Sequence, residues 1–185
     1  MPVHMDTSLP VHPLTITDVT EMLRAGIIAE DDHIELLDGV LVAMSPQREP
    51  HAYAIRRLNA LVGPVAAAAG LELSIQAPLD VGSAISLPEP DVAIVPVTAR
   101  DRHPSGALLV VEMGATSLAL DLGRKAAIYA AAGVPDYWVL DVERRVLVVH
   151  REPVDGCYAH VRTVSARATV TAAAVDLAVP VSALL

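Results

Sequence analysis

The run ALLVVEMG, Ala107 to Gly114, constrains the fold more than any other stretch of the chain. It is apolar on both strand parities, so neither face can be left in water. Such a strand belongs in the middle of a sheet with a layer on each side. An alanine-rich helix is predicted after it, from about Ser117 to Ala132, with Gly133 as its C′ residue. DYWVLDV, RVLVVHRE and YAHVRTVS then read as three further strands, the first two joined at Glu143-Arg144.

Upstream, TITDVTEMLRAG predicts a helix with Thr15 as N-cap, Asp18 three residues on and Gly26 as terminator. HIELLDGVLVAMS predicts a hairpin turning at Asp38-Gly39. Between Pro50 and Gly70, Ile55, Leu58, Val62 and Val65 form a helical stripe that Pro64 would kink or divide. LELSIQ and PLDVGS read as paired strands, followed by the apolar strand DVAIVP, the polar loop VTARDRHPSG and a closing VPVSALL turn or helix. The expected architecture is α/β, a mixed β-sheet flanked by helices. It forms a single domain over residues 14–185 after an N-terminal arm over 1–13.

Composition narrows the function. A chain of 185 residues can bury about 70% of its unfolded surface. With phenylalanine absent, its core must be aliphatic. A single cysteine, Cys157, excludes an internal disulfide and any multi-cysteine zinc site. The N-terminal segment lacks the pattern of a signal peptide, and no apolar run approaches the roughly 18–20 residues of a membrane span. A cytoplasmic protein with no membrane partner is expected. The formal charge of −9 opposes phosphate binding, because nucleic-acid binders draw most of their affinity from basic side chains. There is no G-x-S-x-G, no Walker-type loop and no G-x-G-x-x-G, which disfavours serine hydrolases and nucleotide-dependent enzymes.

Three residue types do carry chemistry. Lys125 is the one lysine among thirteen Lys and Arg, and it sits inside the predicted helix. Asp121, Lys125 and Tyr129 follow at i, i+4 and i+8, so they share one stripe. Glu112 ends the doubly apolar strand and Asp91 opens another. A carboxylate in such a place either takes up a proton or acquires a cation partner. Two of them at adjacent strand ends favour a hard ion, Mg²⁺ or Mn²⁺. Either acid alone also reads as a strand-end residue turned to water. Taken with the lysine, they make a constellation suited to phosphodiester hydrolysis. Glu35, alternating with Leu37, is a candidate third acid and reads also as an ordinary strand carboxylate. His51, Arg100 and Arg102 are candidate substrate contacts; His51 reads also as a structural cap or core histidine, and the two arginines lie in a loop that with His103 reads equally as solvated. Tyr129 and Trp138 read as packing residues, and Asp136 and Asp141 as surface or turn acids.

The ordered fragments IELLDGVLVAMSP, HAYAIRRL, PDV, VVEM and DLGRKAAIYAAAGVPDYWVLD resemble the Uma-type family of restriction-endonuclease-like proteins, within the PD-(D/E)xK nuclease superfamily. The resemblance runs from about Leu14 to Leu185. It implies a restriction-endonuclease-like fold, a divalent metal and DNA as substrate. By position it implies Asp91 and Glu112 as metal ligands with the Met113 carbonyl, and Lys125 as the catalytic lysine. It also matches Glu35 and His51 to a family glutamate and histidine. The superfamily pattern puts its lysine two residues after the acid, where this chain has Gly114, and the GATS run after Glu112 departs from the family as well. The competing expectation is a nuclease-fold protein of little turnover that binds or regulates. In it, a local arginine patch, extended across a homodimer, would offset the acidity.

Overall fold

The computed structural model describes residues 11–29, 31–44, 49–114 and 117–185. Most of the expected arm, and Ala115 and Thr116 of the GATS run, lie outside the described residues. The helix α1, Ile16–Arg24, is opened by the expected capping box, in which Thr15 and Asp18 satisfy one another's backbone N–H. β1 (Ile34–Leu37) and β2 (Val40–Ala43) form the hairpin. Asp38 and Gly39 both have positive φ, 50° and 77°, as the tight turn requires. Gly39 is needed for a second reason: a Cβ there would lie 2.3 Å from the Pro13 Cβ.

α2 spans Glu49–Ala68 and runs straight through Pro64, which sits on its exposed face; the helix is therefore not divided there. Ile55, Leu58 and Val62 face the sheet as the stripe predicts. β3 (Leu71–Ile75) pairs antiparallel with β4 (Val92–Pro96) and not with PLDVGS, which is a loop whose Asp80 makes an isolated bridge to Ser105. The reason is local. Gln76 has φ +48°, Pro78 has no N–H to give a ladder, and Gly82 has φ +72°.

β4 is followed by β5 (Leu109–Gly114), β6 (Asp136–Asp141), β7 (Val146–Val154) and β8 (Cys157–Ser165). These complete a six-stranded mixed sheet of order β3-β4-β5-β6-β7-β8. β5 and β6 are parallel and every residue of both is buried, so the doubly apolar run is indeed central. The crossover between them is one helical run. It comprises α3 (Leu118–Leu120), a π-helical turn (Asp121–Lys125) and α4 (Ala126–Ala131), stopped by Gly133 at φ +73°.

Strand alternation assigns the two faces. Val111 and Met113 pack with Ile55, Leu58 and Val62 under α2. Val110 packs with Ala126 and Tyr129 under the crossover helix. Glu112, two residues beyond Val110, must therefore point at that helix. Beyond the sheet, β9 (Thr169–Thr171) pairs with β10 (Ala178–Pro180), and a 3₁₀ turn, Val181–Leu184, closes the chain. No helix among the described residues is long and apolar enough to cross a membrane.

Candidate active site

Register brings the first two acids together. Val92 pairs with Val111, which sets Asp91 beside Glu112 across the β4–β5 ladder. The Asp91 N–H approaches Glu112 Oε2 at 3.4 Å, and the Met113 N–H donates to Asp91 Oδ2 at 2.7 Å. From above, the crossover helix buries Asp121, Lys125 and Tyr129, the predicted stripe. The π-helical turn carries the first two; such turns recur at functional segments.

Lys125 Nζ lies 3.1 Å from Glu112 Oε1 and 3.1 Å from Glu35 Oε2, bridging the two acids. Tyr129 donates its hydroxyl to Glu112 Oε1 at 2.9 Å. Glu35 Oε2 also accepts the Glu89 N–H at 3.2 Å. His51 Nε2, from the first turn of α2, lies 2.9 Å from Asp91 Oδ1, and Gln76 Nε2 donates to the same oxygen at 3.4 Å. Ser117 donates to Asp121 Oδ2 at 2.7 Å. Glu35, Asp91, Glu112, Asp121 and Lys125 are each at most 7% exposed.

Four buried carboxylates thus face one ammonium and one imidazole. Burial pushes the Glu112 carboxyl up to about 8; Lys125 opposes the rise, and the other three acids add to it. Burial likewise pushes Asp121 up to about 6 against the pull of its Ser117 hydrogen bond. For Lys125, burial disfavours the charge, but Glu112, Glu35 and Asp121 reverse that and hold the ammonium protonated. His51 follows the same logic. Burial lowers its pKa, and the Asp91 carboxylate and the Met113 backbone more than restore it.

The superfamily's lysine position is crowded. Gly114 shares the Glu112 face, and a Cβ on it would lie 2.8 Å from Leu118 Cδ1 and 3.2 Å from Asp121 Oδ2. A side chain at 114 would crowd the start of the crossover, and the ammonium next to Glu112 comes from that helix.

The donor set can be tested against a metal. Among the described residues no three His, Cys, Asp or Glu side chains converge as a ready-made cage. Asp91 and Glu112 nonetheless supply adjacent hard oxygens in a pocket of surplus negative charge. That fits an ion which keeps several waters and takes few protein ligands. The other expected ligand is the Met113 carbonyl, on the residue whose N–H donates to Asp91 Oδ2.

Arg100 and Arg102 are not brought to this cluster. They are exposed in the connection that leaves β4 after Pro96 and enters β5 at Leu109, the strand ends away from Asp91 and Glu112. Sequence reasoning treated Tyr129 as packing and passed over Gln76. The Tyr129 bond to Glu112 had a signal, the i+8 spacing from Asp121; Gln76 had none, because its position depends on the turn after β3. Asp136, read as a surface or turn acid, is completely buried. Asp141, read the same way, does accept a turn N–H, from Arg144 at 2.8 Å, but it too is buried.

A family model described as "Uma2: Putative restriction endonuclease" matches residues 19–182. A crystal structure from Anabaena variabilis, titled as "a putative nuclease belonging to DUF820", superposes with a TM-score of 0.70 at 13% identity. The match covers 93% of this chain and 97% of that one, and at such identity it speaks for the fold. No curated protein matches the chain.

Proposed function

The chain belongs to the Uma2 family of restriction-endonuclease-like proteins, and from that premise we propose that it is a metal-dependent endonuclease hydrolysing DNA phosphodiester bonds at the Asp91–Glu112–Lys125 cluster. The observation that carries the reading is the Lys125 ammonium, buried and bonded at 3.1 Å to both Glu35 and Glu112 beside Asp91. A lysine enclosed this way serves a reaction centre better than a surface.

Asp91 and Glu112 would hold a Mg²⁺ or Mn²⁺ ion. Bound there, it would act as a Lewis acid toward a phosphate oxygen. The chain's own residues do the rest. Lys125 places a fixed positive charge beside the phosphate, where negative charge grows as water forms the new P–O bond and the bond to the leaving oxygen breaks. Glu35 holds that ammonium in place from the side opposite Glu112. Tyr129 fixes the Glu112 carboxylate, and His51 with Gln76 fixes Asp91, so that neither acid must reorganise during the reaction.

Nicking of supercoiled plasmid with Mg²⁺ or Mn²⁺ tests this directly. Wild type should nick, and Lys125→Ala should lose about 10²–10³ in rate, as when a transition-state charge partner is removed. Equal nicking by the two proteins would refute it.

The second reading, a binding or regulatory module of little turnover, is favoured by the charge of −9 and by the lack of a preformed three-ligand cage among the described residues. Salt-steep DNA binding with no cleavage in either metal would select it.

A further inference from the structure

A cavity of about 280 Å³ lies under α1, and Glu35, which lines it, also reaches the Lys125 ammonium at 3.1 Å. Its roof is the apolar face of α1, with Ile16, Val19 and Leu23 at helical spacing. α1 is strongly amphipathic, yet none of its residues is buried. Its apolar stripe covers a cavity instead of a packed core, which a helix rarely does without a reason. Backbone bonds from Leu14 to Gly39 and from Ile16 to Ala84, 2.9 and 2.8 Å, hold the helix start in place.

Leu36, Leu41 and Leu87 also line the cavity, and so do the polar side chains of His33, Glu89 and His103 together with Glu35. His33 is held at φ +46°, a conformation that non-glycine residues adopt at a cost and that recurs at binding sites. The cavity is therefore lined mainly by apolar side chains, with carboxylates and imidazoles among them. It is too small for a drug-sized ligand. Those are the requirements of one unstacked nucleobase: apolar walls for its faces and polar groups for its hydrogen-bonding edge.

Resting on the nuclease reading above, we infer that this cavity is a nucleobase subsite, which takes an everted or single-stranded base while the attached phosphate lies at Lys125. Glu35 is the shared wall: one carboxylate oxygen holds Lys125 and the Glu89 N–H, and the same side chain borders the base. The Glu89 carboxylate, an acceptor, matches bases that present an exocyclic amine, cytosine, adenine and guanine before thymine.

The test separates this subsite from the chemistry. Binding is measured by fluorescence anisotropy at fixed salt in Ca²⁺, using the intact protein. The probes are a labelled single-stranded octanucleotide and an abasic deoxyribose-phosphate strand of the same length and charge. Wild type should bind the base-bearing strand at least tenfold more tightly. Val19→Trp and Leu23→Trp, which fill the cavity from a helix with no buried residue, should abolish that difference. Val161→Trp, an exposed site on β8, should leave it intact. If both α1 variants, folded by thermal melt, still prefer the base-bearing strand tenfold, the inference is overturned. A wild type that nicks plasmid but binds both strands alike refutes the subsite and spares the nuclease. A wild type that neither nicks nor binds refutes both.

Discussion

The adjacent parallel strands β5 and β6 both carry buried acids, and two of these, Asp136 and Glu112, live in opposite circumstances. Asp136, at the start of β6, accepts from Trp138 Nε1 at 2.6 Å, from Ala173 N at 2.7 Å and from Arg151 Nε and Nη2 at 3.2 Å each. One carboxylate meets one guanidinium and two neutral donors, and charge and hydrogen bonds balance. In doing so it ties the segment after β9 to the sheet. Glu112, toward the end of β5, shares Lys125 with Glu35 and lies among Asp91 and Asp121. There the acids outnumber the cations. A matched buried charge holds a fold together. An unmatched surplus weakens it and persists where something positive is to be bound.

The contrast can be broken first at its balanced end. Asp136→Ala leaves the Arg151 charge and two N–H donors without their acceptor, so we expect a loss of about 3–5 kcal/mol in urea unfolding. A loss below about 1 kcal/mol would mean that Asp136 is not the anchor its bonds describe.

The surplus end should show in the pH dependence of metal-free stability. Glu112 goes from an ordinary 4.5 to about 8 on folding, and Asp121 from 3.8 to about 6. A raised carboxyl binds its proton more tightly in the folded state. Its stabilisation is complete below the unfolded value and is lost as pH climbs through the folded one. Stability should therefore fall between about pH 4 and 8, by an amount on the order of 5 kcal/mol from Glu112. Glu112→Gln should flatten the decline. Millimolar Mg²⁺ or Mn²⁺ should oppose it in wild type only, through the deprotonated carboxylates. A flat wild-type profile in thermal melts at pH 5, 6, 7 and 8 would remove the surplus-charge picture.

The smallest effect sharpens the comparison. Tyr129→Phe removes one donor to Glu112 and leaves the ring in place, at a cost of about 1.5 kcal/mol. The decline with pH should also extend further upward, since Glu112 then has one partner fewer when charged. The same change at Tyr158, whose hydroxyl donates to the Val134 carbonyl at 2.9 Å, should leave the pH profile unaltered.

Much of this was legible before any coordinates. The double apolar parity of ALLVVEMG announces a central strand, and Asp38-Gly39 announces a tight hairpin. Both signals are local, set by the chemistry of a few consecutive residues. The stripe Asp121–Lys125–Tyr129 was equally plain, because helical spacing needs no knowledge of what the helix covers. PLDVGS failed as a strand since its alternation is overruled by Pro78 and by the positive φ at Gln76 and Gly82. Asp136 failed for a different reason. Nothing near it in sequence reveals that Arg151 and Ala173, from separate segments, will arrive as partners.

The order of residues settled which elements form, which face of each is apolar and which side chains are chemically odd, for these follow from short-range sterics and from periodicity. Which acid meets which cation was left to packing. Register across β4–β5 and the descent of the crossover helix onto β5 are long-range contacts. Burial then turned ordinary carboxylates into a cluster with a charge to spare, because the energy of a charge depends on what surrounds it and not on its neighbours in the chain.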